Sequence, residues 1–142
     1  MVMEYKRFNN SVVIRIDPKE EVVECIKAIC DKEQIKAGSY TGLGAADEIT
    51  VGLFNTKEKK YYSKTFSGDY EITSLVGSVS TMNGETYLHT HINISDVEMN
   101  VFGGHLNKAV ISGTCEIVLT IIDGQVEREF NEQIGLNLYK FL

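Results

Sequence analysis

The sequence predicts an α+β (α/β) fold, a single compact domain with a largely antiparallel sheet of about seven strands and one or two helices. Three observations carry that expectation. Apolar residues recur at helical spacing in only one long stretch, Val22, Val23, Ile26, Ile29 and Cys30. Most of the remaining apolar residues alternate at period two, as strands with one buried face require. The breaks between these runs are short, and two of them, Asn83-Gly84 and Asp123-Gly124, are favoured hairpin turns. With 142 residues, 43% hydrophobic and 24% charged, residues 1–142 read as one domain able to bury its own core.

Taken in order, Tyr5–Ile16 ends in the β-branched Val12-Val13-Ile14 and reads as a strand. Asp17-Pro18-Lys19-Glu20 then offers a cap, a proline at the first helical position and a capping-box glutamate, which predicts a helix from Pro18 to about Gln34. The Ile35–Ala46 stretch holds Gly42-x-Gly44, but no third glycine completes a dinucleotide fingerprint and no helical pattern follows. Close backbone packing in a sheet accounts for these glycines better than a phosphate cradle does. Ile49, Val51 and Leu53 alternate; the turn bearing Lys57, Lys59 and Lys60 reads as a solvated hairpin tip; Tyr61–Phe66 follows as a strand.

Tyr70–Thr81 reads as a further strand, and Asn83-Gly84 returns the chain antiparallel through Thr86–Ile94. On that return Leu88, Thr90, Ile92 and Ile94 share one face, and Tyr87, His89, His91 and Asn93 share the other. Ser95–Val101 is a polar loop, and Gly103-Gly104 is expected to turn the chain sharply. Val110–Ile122 is a long β-rich run, Asp123-Gly124 is expected to make a second hairpin with Gln125–Phe130, and Leu136–Leu142 forms a last strand.

Charge and composition narrow the function. The net charge of −6, from 14 basic and 20 acidic residues, disfavours unassisted DNA binding, which draws most of its affinity from lysine and arginine contacts to phosphate. Cys25, Cys30 and Cys115 show no CxxC spacing and read as core thiols of a reduced, cytoplasmic protein. No apolar run approaches the roughly 20 residues that cross a bilayer, and the N-terminal residues lack the apolar segment of a signal peptide.

All three histidines fall between His89 and His105. Two residues apart on a strand, His89 and His91 project to the same side, and His105 follows Gly103-Gly104. Imidazole is the commonest neutral metal ligand, and three with an open fourth position is a known zinc arrangement. The competing reading is a set of hydrogen-bonded histidines with no ion. Glu71, Glu116 and Cys115 are candidate fourth ligands or supporting groups, each with an alternative as a solvent-facing carboxylate or a core thiol. Asp96 and Glu98 read as loop charges, and no catalytic residue can be assigned.

His89-Thr90-His91, Gly103-Gly104-His105-Leu106 and Gly68-Asp69-Tyr70-Glu71-Ile72-Thr73-Ser74-Leu75-Val76-Gly77 together resemble the motifs of the plant and prokaryote conserved (PPC) domain family. The resemblance runs over nearly the whole chain, including the glycine segment Ser39–Ala45. It implies a largely antiparallel sheet assembled as a homotrimer, zinc held by His89, His91 and His105, and a regulatory or DNA-associated role. The sequence departs from the pattern twice: it holds no AT-hook, and Asp69 stands where the motif has arginine. Both departures weigh against minor-groove binding. A metal-dependent enzyme or a small-ligand-binding protein without DNA contact is the alternative.

Overall fold

In a computed structural model that describes residues 2–141, the chain runs β1 (Glu4–Phe8), β2 (Ser11–Ile16), α1 (Val22–Glu33), β3 (Gly38–Asn55), β4 (Lys60–Met82), β5 (Glu85–Ser95), β6 (Val101–Ile121), β7 (Glu127–Asn131) and β8 (Leu136–Lys140). One mostly antiparallel sheet of eight strands with one helix makes the fold predominantly β, more so than the expected class. β3, β4, β5 and β6 close on one another: β3 pairs with β4 and β6, and β5 pairs with both β4 and β6. β1 and β2 extend this ring from β6.

Register explains the core. Ile92, Leu75, Gly42, Ile117 and Ile14 form one row across β5, β4, β3, β6 and β2, and every side chain in it is buried. Gly42 is glycine because a Cβ there would lie 2.7 Å from Ile117 Cγ1 and 2.8 Å from Glu116 O. The next row, Val13, Val118, Thr41, Val76 and His91, faces outward, as period-two alternation demands. α1 buries Val22, Cys25, Ile26, Ile29 and Cys30 against β5 and β6. Cys25, Cys30 and Cys115 are free and buried as expected, and burial pushes each thiol up to about 12.

Several elements differ from expectation. Tyr5–Ile16 is two strands, because Asn9 takes a left-handed conformation (φ 54°) and folds β1 back onto β2. The helix begins at Val22, not Pro18, because Lys19 is left-handed (φ 75°) and breaks any helix through it. Half of the anticipated box survives, with Asp17 N donating to Glu20 Oε2 at 2.8 Å, but the cap is Glu21. Tyr61–Phe66 and Tyr70–Thr81 belong to one 23-residue strand, β4.

Gly103-Gly104 makes no turn: Asp96–Asn100 is the connection, and both glycines lie within β6 opposite Asn93 and Ile92. They are glycines because a Cβ on Gly103 would lie 2.1 Å from Asn93 Oδ1, and one on Gly104 2.8 Å from Gly52 O. Asp123-Gly124 does not close a hairpin either. β2 and β3 already occupy both edges of β6, so β7 pairs with β8 and meets β4 through a single parallel bridge, Thr81 with Glu127. Leu142, the last residue of the expected final strand, lies outside the described residues.

Candidate metal centre

β5 places His89 and His91 on its outer side, with Thr90 between them pointing inward to Tyr40. The Tyr40 and Thr90 hydroxyl oxygens lie 2.5 Å apart in the core, which fixes the strand from behind. Gly77 leaves room for this arrangement, since a Cβ there would lie 2.3 Å from the Tyr40 ring. His105 arrives on β6 as the direct cross-strand partner of His91. Adjacent strands stand roughly 4.8 Å apart, so opposed residues and i, i+2 neighbours converge without distorting the sheet.

The His89 and His91 Nε2 atoms are 3.2 Å apart, and one ligand nitrogen from each of the three rings lies within 4.8 Å of the others. Ring centroids are separated by 5.0, 5.5 and 5.7 Å. Desolvation, followed by proximity to His91, holds both His89 and His105 below the ordinary imidazole range; His105 and Arg128 add to the effect on His89. Their neutral, lone-pair-bearing form is thereby favoured, which is the form that ligates metals.

Among the described residues no carboxylate or thiol joins this group. Glu71 is paired with Ser95, well along β4 from Val76, the partner of His91. Glu116 sits between Arg15 and Leu43 on the far part of the sheet, and Cys115 is in the core. Asp96 organises its own loop, with Oδ1 accepting from the Glu98 and Asn100 amides at 3.0 Å, and Glu98 is exposed. None of the candidate fourth ligands is brought to the histidines.

What the sequence did not reveal is the surrounding cleft of about 880 Å³, lined by the three histidines together with Phe54, Tyr61, Tyr87 and Leu136 and further residues of β3, β4 and β6. Tyr61 lies over Gly52, where a Cβ would come within 2.1 Å of its hydroxyl oxygen. Its ring meets His105 edge-on at 6.2 Å, and its hydroxyl donates to Asn107 Oδ1 at 2.5 Å. Leu136 comes from the β7–β8 hairpin, which Arg128 ties down. That guanidinium stacks between Tyr87 and Tyr139 at 4.7 and 4.4 Å and donates to Ser80 Oγ and Asn137 O.

The molecule is thus a small β-rich protein, a ring-closed antiparallel sheet with three imidazoles converging on its outer face as a candidate metal site. The chain belongs to the Plants and Prokaryotes Conserved (PCC) domain family, whose model matches residues 3–123. A candidate DNA-binding protein from Bacteroides thetaiotaomicron is 35% identical with a TM-score of 0.96, covering 99% of each chain. A metal-containing protein from Archaeoglobus fulgidus is 29% identical with a TM-score of 0.87, again over 99% of both chains. A plant- and prokaryote-conserved (PPC) protein from Pyrococcus horikoshii is 30% identical with a TM-score of 0.85, over 99% of this chain and 96% of that one. A search of curated proteins gives no match. Among the described residues no helix is long and apolar enough to cross a membrane.

Proposed function

We propose that this chain is a metal-binding regulatory module that holds a zinc-type divalent ion through His89, His91 and His105 and works as a homotrimer. The observation that carries the reading is the convergence of three imidazole nitrogens within 4.8 Å beside an accessible cleft. Two nitrogens on one tetrahedral ion, each at about 2.0–2.1 Å, stand roughly 3.4 Å apart, and the His89–His91 pair is already at 3.2 Å. An all-nitrogen set suits zinc better than the oxygen-seeking calcium or magnesium. The metal-containing relative from Archaeoglobus supports the same reading. When bound, the ion would supply a Lewis-acidic position, and the residues around it would decide what reaches that position.

A role on DNA, carried by the description of the Bacteroides relative, is the weaker reading for this chain. Its 20 acidic residues outnumber 14 basic ones, and Lys64 is the one lysine or arginine among the residues lining the cleft at the histidines. The test of the metal reading is elemental analysis of untagged protein alongside His91→Ala and His105→Ala. The native chain is expected to carry close to one equivalent of zinc per protomer, with either substitution removing most of it and lowering the thermal midpoint. Equal metal content and equal stability in all three proteins would overturn it.

A further inference from the structure

The geometry points to a ligand class for this cleft: a planar, apolar monocarboxylate, such as an aromatic acid, whose acid group sits at the imidazole end and whose body lies along Tyr61, Phe54, Tyr87 and Leu136. The inference rests on the metal reading, because the ion is the seat of the carboxylate.

Charge decides the head group. The chain is acidic overall, yet no carboxylate lines the cleft; Lys64 is its one fully charged lining residue and three imidazoles close one end. A divalent ion on neutral imidazoles leaves its charge uncompensated by the protein, so its open position, otherwise held by water, favours an anion over a neutral ligand. A phosphate monoester fits less well. It carries nearly two charges and needs several donors, which arginine forks or a helix N-terminus supply elsewhere, and neither is found among the lining residues.

Shape and surface decide the body. Strand pairing puts Phe54 opposite Tyr61 and Gly52 opposite His105, so Phe54, Tyr61 and His105 stand on one face of the sheet. Gly52 lets the Tyr61 ring lie flat over the backbone, and its hydroxyl is engaged by Asn107, which leaves the ring face as the presented surface. Tyr87 shares the face of His89 and His91, two residues from His89, and is backed by Arg128. Leu136 closes the wall from the C-terminal hairpin. The cleft volume falls within the roughly 300–1,000 Å³ range of small-molecule sites.

The experiment is calorimetric titration of zinc-loaded protein with 2-naphthoate and with its neutral counterpart 2-naphthalenemethanol, metal content being measured on the same sample. Saturable naphthoate binding at least tenfold tighter than the alcohol is expected. In cobalt(II)-loaded protein naphthoate, unlike the alcohol, is expected to change the visible absorption. Leu136→Asn, which removes the apolar wall, is expected to weaken naphthoate about threefold or more, and Leu136→Asp, which also adds a carboxylate, at least tenfold further, with metal content kept in both. Zinc-loaded protein that binds naphthoate no better than the alcohol overturns this inference alone, as does an equal effect of the two Leu136 substitutions. Protein that takes up no zinc overturns the metal reading and this inference together.

Discussion

The groups around His89 and His105 disfavour their protonated forms, and this ties the stability of the metal-free chain to pH. Both pKa values are lowered from the ordinary 6.5, first by desolvation and then by the neighbouring imidazole of His91. Below about pH 6.5 the unfolded chain therefore binds protons that the folded chain refuses. Their contribution is fully present above pH 6.5 and is lost as pH falls toward the lowered folded values. Urea midpoints of metal-free protein are expected to fall between pH 7 and pH 5, and His89→Gln and His105→Gln variants to show a flatter profile. The histidine cluster was legible because two of its members are i, i+2 neighbours, a periodicity set by the strand alone. Tyr61, Phe54 and Leu136 were not legible as site residues, since each reaches the histidines from another element and carries no local signal.

At the scale of the element, Glu21 joins helix to sheet. Its carboxylate accepts from Val23 N at 3.1 Å and Glu24 N at 3.0 Å, and also from Ala109 N of β6 at 2.9 Å. Replacing a capping side chain costs about 1 kcal/mol, and a partly buried amide left without a partner costs about 1–3 kcal/mol more. Glu21→Ala is thus expected to lower unfolding free energy by about 2–4 kcal/mol. Lys27→Ala, which removes only the exposed 3.0 Å pair with Asp31, is expected to change it by less than about 0.5 kcal/mol. Urea unfolding of the two variants checks the contrast. Asp17-Pro18-Lys19-Glu20 carried the stronger cap signal, and the fold used it for a turn with a buried Asp17 paired to Arg15. Asn83-Gly84 performed as read, both residues taking positive φ (52° and 80°) between β4 and β5. Asp123-Gly124 has the same chemistry and no hairpin, because a turn closes one only where the neighbouring strand edge is free.

On the scale of the whole molecule, ring closure by β3 to β6 turns one set of alternate residues inward and leaves the other outside. The outward row holds Val13, Val118 and Val76, exposed by 46%, 47% and 49%, with Leu43 at 57% nearby. These exposed valines, with Thr41 between Val118 and Val76, favour burial against another copy. Light scattering at micromolar concentration is expected to give three times the monomer mass, and Val118→Lys to shift it toward the monomer; a native monomer would remove the trimer from the proposed function. By itself the sequence determined the antiparallel sheet, the helical face, the core side of β5 and the pairing of His89 with His91, because period two, period 3.6 and turn chemistry are local properties of the chain. Only the tertiary structure decided that His105 stands opposite His91, that Gly103-Gly104 is a strand pressed against its neighbours, and that a cleft opens beside the three rings. Those outcomes depend on which strands share an edge, and edge sharing is set by packing between residues far apart in the sequence.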